Sequence, residues 1–182
     1  MSLVPKKVFF VKGEGFHRSK LAAFEQALRK AGIEKYNIVN VSSIFPPYCI
    51  EISKEDGLKQ LRPGQIIYAV LARAESNEYN RLICASIGVA KPAERSQYGY
   101  LAEHHTFGVK PEKTGDTAED LAAEMLATTL GIPFDPDANY DEKKEVFKMG
   151  GKIVETKNIT AYATVRNENE WASVLAAAIF IL

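Results

Sequence analysis

Histidine, methionine, tryptophan and cysteine are scarce: 182 residues hold three, three, one and two of them. The two cysteines, Cys49 and Cys84, are too few for a disulfide framework or a structural zinc site. Charge of one sign is missing as well, since 23 Lys and Arg offset 23 Asp and Glu. Without a cationic surplus there is little to displace counterions from a nucleic acid, and a chain this balanced does not read as disordered. No run reaches the roughly 20 apolar residues of a membrane span. The start, MSLVPKKVFF, is no secretory signal, because Lys6 and Lys7 are followed by only four apolar residues before Lys12. What is present is a 46% hydrophobic, 10% aromatic composition, enough for one sizeable core. The expectation is a soluble cytoplasmic protein with one domain over residues 1–182.

Strand and helix signals alternate unevenly. Residues 7–12 read as a strand ending at a Gly13-Glu14-Gly15 turn. Ser19 reads as a cap for a helix with Leu21, Phe24, Ala27, Leu28 and Ala31 at helical spacing, stopped by Gly32. A second strand spans 36–41, and Pro46-Pro47 then forces the chain out of its ladder. Residues 58–60 read as a connector. Three strands follow at 65–74, 82–90 and 97–106, at meander spacing. A second long helix is expected from Asp116, with Glu119 in capping-box position, to Gly131. Residues 132–144 read as an exposed loop. Strands at 152–165 and 171–182 close the chain, the last apolar enough to be central.

Most motif candidates fail. Gly13-Glu14-Gly15 does not complete a dinucleotide fingerprint, because position 18 is Arg, and no phosphate-binding P-loop pattern occurs. His104 and His105 are adjacent, so on a strand they face opposite ways, and no zinc site is expected. The unusual stretch is Val41-Ser42-Ser43-Ile44-Phe45-Pro46-Pro47. An isolated Ser-Ser pair most simply caps free backbone groups. Here an apolar strand runs through two hydroxyl residues into a rigid diproline. A strained peptide bond beside a serine hydroxyl is open to self-attack, because nucleophile and carbonyl are already adjacent.

That stretch, from Asn37 to Pro47, resembles the self-cleavage region of the pyruvoyl-dependent arginine decarboxylase family. The resemblance extends to Ala23-Phe24-Glu25-Gln26-Ala27-Leu28 as the first family helix and to Gly99-Tyr100-Leu101-Ala102-Glu103 as the strand of the catalytic acid. It continues through residues 114–130 as the later helix and Ala176-Ala177-Ala178 in the last strand. It implies an α+β, four-layer α/β/β/α sandwich with mostly antiparallel strands, assembled as a trimer or a dimer of trimers with sites between subunits.

The resemblance also implies the chemistry. Ser43 attacks the Ser42 carbonyl to give an ester; elimination leaves dehydroalanine, which becomes a covalent pyruvoyl group. The chain is thereby split into a β piece, 1–42, and an α piece, 43–182. The pyruvoyl cofactor forms a Schiff base with the substrate, and L-arginine yields agmatine and CO2. Glu103 is the implied acid, needing a raised pKa to carry a proton near neutrality. Taken alone, Glu103 could as well be a surface strand residue. Asn37 lies six residues before Ser43 on what reads as one strand, hence on one face; the family's matching Asn is in the site, although this one could simply open the strand. Glu25 matches the carboxylate that holds the guanidinium, with one methylene more where a relative has Asp, or it is a solvated helix residue. Other amino acids (histidine, lysine or aspartate) remain alternatives for the same chemistry. So does an uncleaved, non-catalytic binder of cationic metabolites.

Overall fold

A computed structural model describes residues 3–133 and 153–182. Its elements, in chain order, are β1 (Lys7–His17), α1 (Lys20–Ala31), β2 (Asn37–Asn40), β3 (Ile44–Phe45), β4 (Ile50–Glu51) and α2 (Lys54–Lys59). They continue with β5 (Ile66–Ser76), β6 (Leu82–Pro92), β7 (Gly99–Phe107), α3 (Pro111–Leu130), β8 (Ile153–Thr164) and β9 (Trp171–Ile181). One sheet has the order β2-β5-β9-β1-β4 and the other β3-β7-β6-β8. Most pairings are antiparallel; β1 with β4 and β2 with β5 are parallel.

The layers follow from which faces are apolar. Val70, Ala72, Ile83, Ile87, Val89, Leu101, Val174 and Ala176 close the space between the two sheets. On the outer face of the first sheet, Phe9, Val11, Leu175 and Ile179 meet Ala27, Ala31 and Ile33 at and just beyond the end of α1. On the outer face of the second, α3 lays Ala122, Ala123 and Leu126 over Ala90 and Ala102. Each fully buried Phe, Leu or Ile contributes about 1.5–3 kcal/mol relative to exposure. The result is the expected single-domain α+β fold in four layers. β9 is the middle strand of its sheet, as its continuous apolar run implies.

Several local expectations change. Gly13 and Gly15 are not a turn but lie inside β1, which runs unbroken to His17. Their lack of a side chain serves packing: a methyl on Gly13 would collide with the Ala27 carbonyl, and one on Gly15 with the Ala23 carbonyl. The α1 helix therefore sits close on β1 through its buried Ala23, Ala27 and Ala31. Its end matches expectation, with Gly32 left-handed at φ 84°. Residues 58–60 are no mere connector, because α2 covers 54–59 behind Ser53, whose hydroxyl accepts from the Asp56 N–H at 3.1 Å. α3 begins at Pro111 rather than Asp116. Proline suits a first helical position, where its missing N–H has no partner to lose. Glu119 is then no cap but a buried residue accepting from the Asn158 amide at 3.1 Å. The loop expected at 132–144 lies, from 134 onward, outside the described residues.

Candidate active site

The two serines mark the place where the backbone passes from one sheet to the other. Val41 still belongs to the first, its N–H donating to the Ala69 carbonyl at 2.9 Å beside β5. Two residues later Ser43 belongs to the second, its carbonyl accepting from Leu101 N–H on β7 at 2.8 Å. Between these anchors the Ser42 carbonyl accepts from Ile44 N–H at 2.9 Å. That bond, from i+2 back to i, is a γ-turn centred on Ser43. Ser42 is exposed and Ser43 half-buried. The expected backbone strain is not found: Ser43 is not among the residues with positive φ, which gives the relaxed inverse form of the turn. The linkage is fixed by hydrogen bonds, and the diproline behind it is packed, Pro46 being buried beside Phe45.

The departure of β2 after Asn40 also opens the edge of β5. The Glu103 carboxylate on β7 is exposed at that edge, near the Leu71 N–H of β5. Partial desolvation raises its pKa above the ordinary value, and the Leu71 N–H offsets part of that rise. Glu103 opens onto a cavity of about 570 Å³ whose polar wall also includes Asn37, Asn40, Arg73 and His105. Phe24 and Leu28 of α1 and Tyr36 form its apolar side. The Arg73 guanidinium stacks on the Phe24 ring, 3.4 Å from its centroid, and pairs with Glu75.

Asn37 and Glu103 therefore share one cavity, but not through the strand parity expected for Asn37 and Ser43. β2 ends at Asn40, and Ser43 lies beyond the change of sheet, so counting residues along one strand does not apply. The Asn37 amide donates to the Gly64 carbonyl at 2.8 Å. Glu25 does not line this cavity; its side chain, 45% exposed, pairs with Arg29 one helical turn on. Ser42, by contrast, borders a second, apolar cavity of about 440 Å³ with Leu3, Ile44, Tyr68 and Phe180. Among the described residues no cluster of three metal-ligating side chains occurs.

Sequence reasoning missed Arg73, His105, the Leu71 N–H and the Ile44 N–H. Arg73 had a signal, as the one charge within the apolar run Ile66 to Ala74. The two amides had none, because their availability depends on where β2 stops.

The arrangement offers a serine hydroxyl next to a hydrogen-bonded carbonyl and, two residues along β7 from the Leu101 anchor, a carboxyl whose pKa is raised. The comparisons with known proteins agree with it. The family model for pyruvoyl-dependent arginine decarboxylase matches residues 7–182. A protein of Chlorobium luteolum named "Probable pyruvoyl-dependent arginine decarboxylase" is 58% identical over 181 residues, covering 100% of this chain and 99% of its own. Proteins named pyruvoyl-dependent arginine decarboxylase from Methanococcoides burtonii and Nitrosopumilus maritimus are 48% and 45% identical. The first covers 99% of this chain and 100% of its own length, the second 100% of each. With a family model spanning residues 7–182 and relatives 45–58% identical over essentially the whole chain, the chain belongs to the pyruvoyl-dependent arginine decarboxylase family.

Proposed function

We propose that this chain converts L-arginine to agmatine and CO2 with a pyruvoyl group made from its own Ser43. The observation that carries the reading is the Ser42–Ser43 linkage itself, held at the change of sheet by the Val41, Ile44 and Leu101 amides. The residues fit the group. Ser43 provides a hydroxyl that can serve as nucleophile and then as leaving group, and its carbonyl is already fixed by Leu101. The products of cleavage, 1–42 and 43–182, would stay assembled, because β1 lies between β9 and β4 and pairs with β9 over its whole length.

When formed, the pyruvoyl group would supply a ketone for the substrate's amine and an electron sink for the loss of carbon dioxide. The chain's own residues do the rest. Glu103, its pKa raised by partial desolvation, is the proposed acid that protonates the carbon that has lost CO2. Phe24, Leu28 and Tyr36 exclude water from one side of the cavity, and Asn37, its amide nitrogen held by the Gly64 carbonyl, lines it as well. Glu25 is the proposed partner of the guanidinium. Within one protomer it does not line the Glu103 cavity, which supports a site completed between subunits of a trimer or a pair of trimers. Exposed Leu3, Val4, Ile44, Ile66 and Leu182 support such contacts. The chain is proposed to work in the cytoplasm, in keeping with two unpaired, buried cysteines. Among the described residues no helix is long and apolar enough to cross a membrane.

Intact mass of the purified protein is the deciding test. Two fragments breaking at Ser42–Ser43, the larger carrying a pyruvoyl terminus, are expected, with agmatine as the product from a panel of arginine, lysine, histidine and aspartate. One full-length chain, or a Ser43→Ala variant that still releases CO2, would overturn the reading.

A further inference from the structure

Adjacent serines pose a choice, because Ser42 could attack the Val41 carbonyl as readily as Ser43 attacks that of Ser42. Local chemistry does not distinguish the two reactions, but backbone hydrogen bonding does. The Ser42 carbonyl accepts the Ile44 N–H at 2.9 Å, whereas the Val41 carbonyl has no backbone donor among the described residues.

We infer that the Ile44 backbone amide is the oxyanion donor of self-cleavage and selects Ser43 over Ser42 as the nucleophile. The inference rests on the proposed self-cleavage. As the Ser43 Oγ–C bond forms, negative charge gathers on the Ser42 oxygen. The C–N bond between Ser42 and Ser43 then breaks, and the Oγ proton passes to the departing nitrogen. Loss of the Ser43 Cα proton expels the Ser42 carboxylate from Cβ, and water displaces the remaining nitrogen as ammonia. Only the first step needs an oxyanion donor. An N–H already within 2.9 Å of that oxygen strengthens its bond as charge develops and needs no reorganisation.

Two features leave this amide free for the task. β3 is the edge strand of its sheet, bonded to β7 on one side only, so the other side can face back on the turn. The side chain that might compete for the role, Asn37, has its amide on the Gly64 carbonyl at 2.8 Å.

The test replaces the Ile44 amide with an ester, by incorporating the 2-hydroxy acid analogue of isoleucine in the full chain, which deletes the N–H and keeps the side chain. Fragment formation is followed by intact mass. Loss of one oxyanion donor is expected to slow cleavage about 10²–10³-fold. The same exchange at Tyr48, whose N–H bonds the Arg95 carbonyl at 3.0 Å away from the scissile linkage, is expected to leave the rate unchanged. An unmodified chain that never splits sinks the self-cleavage reading. A chain that splits while the Ile44 ester splits equally fast sinks the donor assignment alone, and so does equal slowing by the Tyr48 ester. Independently of cleavage, the infrared stretch of a ¹³C-labelled Ser42 carbonyl in the Ser43→Ala chain is expected at the lower frequency of a hydrogen-bonded amide. A free-carbonyl frequency would overturn the assignment.

Discussion

Replacing Glu103 by Gln separates the two halves of the proposed chemistry. The carboxylate lies near the Leu71 N–H at the edge of β5, and a glutamine carbonyl oxygen can face the same N–H, so the packing of β7 against β5 should survive. The Ser43 anchor, Leu101 N–H, lies two residues away in the backbone and is untouched. Cleavage into 1–42 and 43–182 should therefore proceed at the normal rate. Turnover should not, because an amide cannot deliver a proton to carbon. A positioned general acid is worth about 10²–10⁴ in rate, which is about 2.7–5.4 kcal/mol of barrier. The loss should fall on kcat, with KM for arginine within a few-fold. Partial burial raises the pKa of Glu103, so the native chain's kcat should fall as pH rises through that pKa, and the variant should lack that limb.

The same shift makes a stability statement with a definite sign. With its pKa raised, Glu103 binds its proton more tightly folded than unfolded. It thus favours the fold at low pH and disfavours it as pH climbs past the raised value. The difference in Tm between variant and native chains should then move in the variant's favour with rising pH. Stopped kinetics and thermal melts across pH 4–9 read both effects. A fully active Glu103→Gln enzyme would remove Glu103 from the acid role.

Gly88→Ala should lower stability without reaching the site, because its new methyl would meet the Ala118 carbonyl of α3. Overpacking of this kind costs about 1–3 kcal/mol, a drop of several degrees in Tm, and an unchanged Tm would refute the close helix contact. Glu25→Gln breaks only an exposed pair with Arg29, about 0.5 kcal/mol or less, but should raise KM for arginine at least about tenfold with cleavage intact. An unaltered KM would free Glu25 from substrate binding. Lys91→Met removes the cation lying 2.8 Å from Glu51 and 3.0 Å from Glu155. Burial alone would raise the Glu51 pKa, but hydrogen bonds from Lys157 and Lys91 hold it below its ordinary value. The stability this supplies is present at neutral pH and lost on acidification through the depressed pKa. The variant should be less stable by about 1–2 kcal/mol at pH 7, between the values of exposed and buried pairs, with the deficit shrinking toward pH 3. An equal deficit at both pH values would contradict this.

The sequence alone located the two long helices and the long strands, but not α2, β3 or β4. Periodicity located α1, and its alanine stripe and closing Gly32 act as their chemistry requires. The apolar run of β9 placed it mid-sheet, and two hydroxyl residues ahead of a diproline pointed to the linkage proposed to cleave. These features were legible because each depends on a few neighbouring side chains. The folded arrangement decided the rest. Gly13 and Gly15 look like a turn until a helix is laid on them, because the reason for a missing side chain lies in Ala27 and Ala23, on the next element of the chain. Asn37 and Ser43 look like neighbours on one strand, yet the backbone changes sheets between them. Which amides are left unpaired at that crossing, for Glu103 and for the Ser42 carbonyl, depends on where β2 leaves β5, and pairing between distant strands is written in no local run of residues.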